Sequence, residues 1–281
     1  MSYNGKKGWW YEMKYRLLVT DIDDTLLTSD KRITDKVLGA VAKAQDAGVT
    51  VAIASGRLPA GVRPYVDALH IRERGGYYLA FNGGLIMDAH DSILHADVLD
   101  RKYLAMVCRA LEPFNVAVLV HRHDRIYTDN NQNSYAYTEP EALGLPLNRL
   151  DSLTRDVDWD LHKILIAGEP EILKEAEPAL KAQFGGELDI FLSAPWFLDV
   201  MPKGVTKGAG IRYIADKMGI GMDEVIACGD SCNDISMIKA AGMGVAMHNG
   251  EEELKTAADY VTQNGCDSDG VAEVIEKFIL S

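Results

Sequence analysis

The sequence predicts an α/β protein: a Rossmann-like core with a parallel sheet and helices on both faces, interrupted by an inserted α+β domain. Short apolar strands alternate with helices in the first and last parts of the chain. This alternation is typical of parallel sheets that are covered on both faces. The middle part instead has pairs of consecutive strands, which indicate antiparallel pairing. With 281 residues, the chain is long enough to build a hydrophobic core in both units.

The first core segment begins with the apolar strand Leu17 to Thr20. A helix follows, because apolar residues recur there at helical spacing, with Thr34 as its N-cap and Gly48 at its end. Val49 to Ala54 is the second predicted strand and Tyr77 to Phe81 the third. All three strands are continuously apolar, which predicts a place inside a two-sided sheet.

The insert is predicted to span residues 86–195. A helix near Asp100 to Leu111 precedes two short strands with a hairpin-like connection, and a helix near Glu171 to Phe184 precedes a second strand pair. This order predicts helices packed on an antiparallel sheet. The stretch from Asn130 to Tyr137 is rich in Asn and Tyr, which makes it a candidate for substrate contact by composition alone.

The alternation of helix and strand resumes at Lys207, so residues 13–85 and 196–281 are expected to form one core. Residues 1–12 show no hydrophobic period and no apolar stretch like that of a secretory signal. We expect them to be an N-terminal extension, either appended or disordered, with Met13 as a candidate native start.

Composition argues against several classes of partner. The formal net charge of −13 disfavours binding to nucleic acid or to an anionic membrane. No apolar run approaches the ~20 residues of a membrane span. The spacing of the four cysteines fits neither a disulfide framework nor a zinc site, and we interpret them as buried and reduced. These features favour a cytoplasmic protein, either a monomer or a small homo-oligomer.

Polar residues follow three predicted core strands at the point where each strand ends. They are Asp21, Asp23 and Asp24 after the first strand, Ser55 after the second, and Asp230, Asn233 and Asp234 after a later one. Open parallel sheets place their ligand sites at this edge. Two carboxylates about 4 Å apart repel each other by roughly 4 kcal/mol at a protein-like dielectric. A hard cation such as Mg²⁺ takes oxygen ligands and would relieve that repulsion.

These residues resemble, in order, the four motifs of the haloacid dehalogenase superfamily: DIDDT at residues 21–25, Ser55, Lys207 in VTKG, and GDSCND at residues 229–234. The insert lies between the second and third motifs, which resembles the branch with a large α/β cap, subclass IIB. The stretches FNGG, FLDVMPKGVTKG and GVAMHNG are similar to the Cof-type phosphatases of that branch. The resemblance covers essentially the whole chain from Met13 onward.

The resemblance implies a mechanism with two aspartates in different roles. Asp21 would attack phosphorus as the nucleophile and form an aspartyl-phosphate. Asp23 would protonate the leaving alcohol and then deprotonate the water that hydrolyses the intermediate. Lys207 would stabilise the charge of the phosphoryl group, and Ser55 with the amide of Gly56 would bind one of its oxygens.

The resemblance also implies a bound Mg²⁺ as cofactor. Asp21, the backbone carbonyl of Asp23 and Asp230 would be its protein ligands. Asn233 and Asp234 would complete the metal site, either directly or through water.

Four features lie outside this pattern. Asp24 stands where the commonest form of the first motif has Gly, which adds negative charge to a turn that Asp tolerates. Asp199 could bind substrate hydroxyls or only cap a loop. His121 and His123 are two residues apart on a predicted strand and are interpreted as a solvated face. Arg57 could contact phosphate, but we interpret it as a structural partner.

The predicted function is Mg²⁺-dependent hydrolysis of a small soluble phosphomonoester. A phosphorylated sugar is the first candidate substrate. Nucleotides, pyridoxal phosphate and flavin mononucleotide are the other candidate substrates. Two alternatives remain at this point: a phosphomutase with the same core and cap, and a non-catalytic sensor that binds a phosphorylated metabolite in the cleft.

Overall fold

The computed structural model describes residues 14–281, so the predictions for residues 1–12 and Met13 lie outside it. The described residues form these strands: β1 (Leu17–Thr20), β2 (Thr50–Ala54), β3 (Gly76–Ala80), β4 (Leu85–Asp88), β5 (Ile93–Ala96), β6 (Val116–Arg122), β7 (Arg125–Thr128), β8 (Leu147–Arg149), β9 (Ile164–Gly168), β10 (Leu188–Ala194), β11 (Phe197–Pro202), β12 (Val225–Gly229), β13 (Met243–Ala246) and β14 (Tyr260–Val261).

The α-helices of the same residues alternate with these strands. They are α1 (Asp35–Asp46), α2 (Pro59–Ala68), α3 (Ile71–Arg74), α4 (Lys102–Leu111), α5 (Thr138–Leu143), α6 (Leu153–Asp156), α7 (Pro170–Phe184), α8 (Lys207–Met218), α9 (Ile235–Ala240), α10 (Glu252–Ala257) and α11 (Gly270–Phe278). None of the helices within residues 14–281 combines the length and the apolar character needed to cross a bilayer.

The larger sheet has the strand order β14-β13-β12-β1-β2-β3-β4-β5. The six strands from β14 to β3 are parallel, and β4 and β5 continue the sheet in antiparallel pairing. Apolar side chains of α1, α2 and α11 pack on one face of this sheet, and those of α8, α9 and α10 on the other. The predicted α/β fold class with a parallel-sheet core is confirmed.

The smaller sheet has the order β10-β11-β9-β6-β7-β8. Its pairs are antiparallel except for β7 and β8, which run parallel. Helices α4, α6 and α7 bury one face of this sheet in a separate hydrophobic cluster. We call this sheet and its helices the cap.

Strand pairing differs from the predicted limits of the insert, 86–195, at both ends. The segments 85–88 and 93–96 pair with β3 and with each other in the larger sheet. At the other end, β11 pairs with β9 and β10 in the cap. The two sheets therefore divide the chain after Ala96 and after Pro202. The tight turn between β3 and β4 adds β4 and β5 to the core sheet in antiparallel pairing. The sequence of a short apolar strand does not indicate which of the two sheets the strand will join.

Helix α8 begins at a residue of the predicted site. Thr206 is its N-cap, and its hydroxyl accepts a hydrogen bond from the amide of Ala209 at 3.1 Å. Lys207 is therefore the first residue of the helix. At the other end, Gly219 adopts the left-handed conformation, φ +66°, that commonly ends helices.

Candidate active site

Four adjacent strands of the larger sheet end in polar residues at one edge. Asp21 follows β1, Ser55 follows β2, Asn82 lies two residues after β3, and Asp230 follows β12. Since these strands are parallel neighbours, their carboxyl ends bring the four residues together. The cap contacts the same edge, and Arg63 of α2 donates a hydrogen bond to cap residue Asp124 at 2.7 Å.

Lys207 lies at the centre of the site and is fully buried. Its Nζ donates to Asp21 Oδ1 and to Asp234 Oδ1, both at 2.6 Å. Burial disfavours the charged ammonium, but the two carboxylates outweigh it and raise the pKa of Lys207. The lysine is therefore a permanent positive charge beside Asp21 at neutral pH.

Asp21, Asp230 and Asp234 form a carboxylate cluster. Each offers one oxygen, and these oxygens lie within 4.8 Å of one another. Burial and the charges of Asp234 and Asp230 raise the pKa of Asp21 despite the presence of Lys207. Burial and the charge of Asp234 likewise raise the pKa of Asp230 to about 7. The cluster thus holds more negative charge than Lys207 alone compensates.

A divalent cation fits this cluster. Carboxylate oxygens are the ligands that Mg²⁺ and similar hard cations prefer. Burial and, after it, the charge of Asp234 raise the pKa of Asp230, and a cation would offset both effects because it favours the ionised carboxylate. Thr25 keeps one oxygen of Asp230 in place, because its hydroxyl donates to Oδ1 at 2.7 Å. The described residues could therefore hold a divalent metal ion at this edge of the sheet.

The pKa of Asp230 leads to a prediction about pH. In the folded protein without metal, the pKa of Asp230 is about 7, above its ordinary value of 3.8. The folded state therefore binds a proton on Asp230 more tightly than the unfolded state does. Ionisation of Asp230 as pH rises from 4 to 8 is expected to lower the free energy of unfolding by up to ~4 kcal/mol. Asp230→Asn is therefore expected to be more stable than the wild type without metal. This difference in the free energy of unfolding should widen from pH 5 to pH 8.

Denaturant unfolding of both proteins in EDTA measures that difference. Addition of Mg²⁺ is expected to stabilise the wild type at pH 8 and to have little effect on Asp230→Asn. If the wild type is as stable as Asp230→Asn at pH 8 in EDTA, ionised Asp230 does not destabilise the metal-free fold and the prediction is wrong.

Asp23 is paired with Arg57, for which the sequence favours a structural role. The guanidinium donates through Nε to Oδ2 at 2.8 Å and through Nη2 to Oδ1 at 2.7 Å. Burial raises the pKa of Asp23, but Arg57 and then Lys31 outweigh this effect and lower it. The sequence did carry a signal for Arg57, because it lies two residues after Ser55 at the same strand end.

Asp24 occupies a left-handed position in the turn, with φ +55° and ψ +11°. Asp and Asn adopt this conformation more readily than most residues, so the turn accepts Asp where the common motif has Gly. Asn249 fixes the turn by donating to the carbonyl of Asp24 at 2.7 Å. The Asp24 carboxylate points to solvent and pairs with Lys31 at 3.4 Å.

Ser55 and Gly56 lie against Asn82, a residue outside the set of site residues predicted from the sequence. Asn82 has φ +54° and donates its backbone N–H to the carbonyl of Ser55 at 2.9 Å. A Cβ on Gly56 would lie 3.1 Å from Asn82 Oδ1, so glycine allows this close approach. Asn233 donates from Nδ2 to the same Oδ1 at 3.1 Å. Asn82 thus joins the second and fourth motifs.

The interpretation of His121 and His123 as a solvated strand face is wrong. His121 is buried, and its Nε2 lies 2.8 Å from Glu139 Oε2. His123 lies beyond the end of β6, in the turn to β7, with φ +52°. The turn begins one residue earlier than the alternation predicted, so the two histidines do not share a face. Asp199 lies in β11 and is only 1% exposed.

A cavity of about 650 Å³ opens between the core and the cap. Its core side includes Asn82, Lys207 and Asn233, and its cap side includes Asp189 and Phe191. The volume of this cavity suits a small metabolite, and the buried Lys207 is among its lining residues.

Fold and site together define a phosphoryl-transfer enzyme of the α/β class. Buried carboxylates that could hold a cation, next to a buried lysine, suit a reaction whose negative charge must be stabilised in the absence of bulk water. The chain belongs to the haloacid dehalogenase-like hydrolases, whose family model matches residues 18–275. The predicted resemblance to Cof-type phosphatases of the haloacid dehalogenase superfamily is confirmed, and the chain is a phosphatase of this superfamily.

Several relatives align over almost their full length. A Streptococcus pyogenes serotype M6 protein, provisionally assigned as a phosphatase, is 35% identical over 283 residues, which cover 96% of this chain and 100% of the relative. The 5-amino-6-(5-phospho-D-ribitylamino)uracil phosphatase of Bacillus subtilis strain 168 is 29% identical over 269 residues, 96% of this chain and 98% of that protein. A crystal structure of a haloacid dehalogenase-like hydrolase from Bacteroides thetaiotaomicron has a TM-score of 0.87 and 34% identity, with 94% and 99% of the two chains covered.

Proposed function

We propose that this protein is a Mg²⁺-dependent phosphatase that hydrolyses a small phosphomonoester through an aspartyl-phosphate. The observation that carries the proposal is the position of Asp21. It is buried, it lies 2.6 Å from the Lys207 ammonium, and it belongs to the carboxylate cluster with Asp230 and Asp234. A carboxylate held in this way is oriented for attack rather than for solvation.

The proposed first step transfers the phosphoryl group to Asp21. Its carboxylate oxygen forms a bond to phosphorus while the bond between phosphorus and the ester oxygen breaks, and Asp23 gives its proton to the leaving alcohol. In the second step Asp23 takes a proton from water, the water oxygen bonds to phosphorus, and the Asp21–phosphorus bond breaks. Inorganic phosphate leaves, and Asp23 is protonated again. Since Asp23 is paired with Arg57, this pair must loosen before the first step.

The phosphoryl group would be bound by residues from three strand ends. Ser55 and the amide of Gly56 would hold one oxygen, and Lys207 would stabilise the negative charge. Asp21, the carbonyl of Asp23 and Asp230 would hold Mg²⁺, with Asn233 and Asp234 completing the site. When bound, the cation supplies further positive charge next to the phosphoryl oxygens.

Two comparisons support the phosphatase activity in this proposal. One solved structure has a TM-score of 0.79 and 25% identity, with 94% of this chain and 98% of that chain covered. Its published description concerns a trigonal-bipyramidal intermediate in a phosphoryl-transfer superfamily. HMP-PP phosphatase of Yersinia pestis is 29% identical over 272 residues, 95% of this chain and 96% of that protein. A phosphorylated sugar is the first substrate class to test.

The experiment is phosphate release from a panel of phosphorylated metabolites, with Mg²⁺ or with EDTA. Release that needs Mg²⁺ supports the proposal. Absence of release from every compound by folded, metal-loaded protein would contradict it. Isomerisation of a sugar phosphate, stimulated by a bisphosphate, would instead identify a phosphomutase.

Asp23→Asn gives a sharper prediction about the two steps. With p-nitrophenyl phosphate, whose leaving group needs no proton, the first step should continue while hydrolysis of the aspartyl-phosphate slows by about 10²-fold or more. The phosphorylated variant is then expected to accumulate, visible as a mass increase of the intact protein that maps to the peptide containing Asp21. Lys31→Met, which removes the weaker partner of Asp23, is the matched control and should not accumulate it. An unmodified Asp23→Asn protein that still releases phosphate would rule out this role.

A further inference from the structure

The turn between β6 and β7 forms one side of a separate cavity on the cap, with a volume of about 620 Å³. This cavity is lined by Arg122, His123, Asp124, Arg125, Tyr127 and Pro146. None of these residues lines the cavity between the core and the cap, and the proposed phosphoryl transfer uses none of them. We call Arg122 and Arg125 the hairpin arginines.

The hairpin arginines are directly opposite each other in the antiparallel pairing of β6 and β7. Residues in such a pair point to the same face of the sheet, with Cβ atoms about 4.5–5.5 Å apart, and like charges there are destabilising. The next pair on that face, Val120 and Tyr127, belongs to the hydrophobic cluster that packs against α4, α6 and α7. The hairpin arginines therefore continue the helix-covered face of the cap sheet beyond its apolar part.

The opposite face of the same strands contacts the core. His121 lies between Val120 and Arg122 in β6 and so points to that opposite face. The centre of its ring lies 5.5 Å from that of Phe81 in the core. The hairpin arginines are thus on the other side of the cap sheet from the residues that contact the core.

Arg122 is held in place by an aromatic side chain. Its Cζ lies 4.9 Å from the centre of the Trp159 ring. Trp159 is itself fixed, because its Nε1 donates to the carbonyl of His121 at 2.9 Å and its ring lies 5.1 Å from that of Tyr127. A guanidinium that stacks on a ring still presents the N–H donors along its edge, and phosphate oxygens accept from such donors in pairs.

Arg125 is held in place by an amide side chain. Its Nη1 donates to Asn148 Oδ1 at 3.4 Å. Asn148 in turn donates from Nδ2 to the carbonyls of Ile126 and Pro146, both at 3.2 Å. Because Asn148 is neutral, this contact orients the guanidinium without compensating its charge.

The carboxylates near the hairpin arginines compensate little of their charge. Asp124 lines the same cavity, but its Oδ1 accepts a hydrogen bond from Arg63 of α2 at 2.7 Å. Asp158 Oδ1 lies 3.7 Å from Arg122 Nη1, and the Asp158 side chain is 77% exposed. A long and exposed ion pair of this kind contributes little, because solvent screens it. Two oriented positive charges therefore lie side by side with most of their charge uncompensated.

We propose that the hairpin arginines bind a phosphate group on the face of the cap sheet that is turned away from the core. Phosphate oxygens can accept paired N–H donors from both guanidinium groups, and the negative charge removes the repulsion between them. The cavity volume lies within the range of about 300–1,000 Å³ that is common for small-molecule sites. It therefore accommodates either free inorganic phosphate or a phosphomonoester whose ring packs on Tyr127. This binding does not depend on the proposed phosphatase activity.

Tryptophan fluorescence can measure this binding, because Arg122 stacks on Trp159. Titration with inorganic phosphate at pH 8, in EDTA and at constant ionic strength, is expected to give a saturable change in emission. Trp159→Phe should abolish the change, which assigns it to this ring. A parallel titration with adenosine 5′-monophosphate distinguishes the two sources of phosphate. Tighter binding of the nucleotide indicates a phosphomonoester as ligand, and equal or weaker binding indicates free phosphate.

Arg125→Gln tests the arginine pair and leaves the stack of Arg122 on Trp159 in place as the reporter. The apparent affinity for inorganic phosphate is expected to fall by at least about tenfold, because hydrogen bonds between two charged groups are lost. Arg109→Gln is the matched control, since it removes the same charge from an exposed position on α4. Its affinity for phosphate should equal that of the wild type. Thermal unfolding of each variant reports whether its fold is intact.

Ser55→Ala distinguishes this site from the proposed phosphate site of the core. The emission change on adding phosphate is expected to be the same in Ser55→Ala as in the wild type. Loss of the change in Ser55→Ala together with its retention in Arg125→Gln would mean that phosphate binds only in the active site. That result would overturn the inference. Absence of a saturable change in the wild type, or equal affinities in Arg125→Gln and Arg109→Gln, would overturn it as well.

Discussion

Asp21→Asn is expected to lower phosphate release by about 10⁴-fold or more with every substrate, because an amide cannot attack phosphorus as a carboxylate does. The fold should survive the substitution. Lys207 keeps its hydrogen bond to Asp234 at 2.6 Å, and the variant removes one negative charge from a cluster in which burial and the charges of Asp234 and Asp230 raise the pKa of Asp21. A loss of phosphate release would therefore result from the missing nucleophile and not from unfolding.

The matched control for this variant is Asp24→Asn, which makes the same change three residues later. Asp24 is exposed, and its left-handed backbone suits Asn as well as Asp. Its activity is expected to stay within about threefold of the wild type. The measurement is steady-state phosphate release with saturating Mg²⁺, with circular dichroism to compare folds. Activity in Asp21→Asn near that of the control would mean that water attacks phosphorus directly, and the aspartyl-phosphate mechanism would be wrong.

The sequence could group the residues of the proposed site because the rule behind that grouping is local. A residue that directly follows an apolar strand lies at the strand's carboxyl end, whatever the rest of the chain does. Asp21, Ser55 and Asp230 each follow a strand in this way, and the three strands are neighbours in the sheet. Lys207 needed the family motif, since nothing in its own surroundings distinguishes it from Lys203.

Pairings between distant segments could not be predicted in this way. Lys163 and Asp199 meet only because β9 and β11 are neighbours in the cap sheet, and no local pattern fixes the order of those strands. The sequence gives His121 no evident partner, because Glu139 lies 18 residues away on a short helix. The contact of Arg57 with Asp23 likewise depends on the neighbouring positions of β1 and β2.

Lys207→Met is expected to lose both activity and stability. Removal of the ammonium leaves Asp21 and Asp234 buried without their shared partner, and breaking a buried ion pair in this way costs about 3–5 kcal/mol. The free energy of unfolding without metal should fall most at pH 8 and less at pH 5. Loss of the lysine charge raises the pKa of Asp21 further above its ordinary value, so its protonation relieves the repulsion at low pH.

Adding Mg²⁺ distinguishes the loss of stability in Lys207→Met from its loss of activity. A cation at the carboxylate cluster can replace the missing positive charge and is expected to restore much of the stability. Phosphate release should remain about 10²–10³-fold below that of the wild type, because the ammonium next to Asp21 is absent. Lys217→Met is the matched control: Lys217 lies ten residues later on the same helix and is exposed, outside the carboxylate cluster and the cavity. Full recovery of activity with Mg²⁺ would show that Lys207 acts only as a structural counter-charge. Recovery of stability alone would show that the same buried charge holds the site together and takes part in phosphoryl transfer.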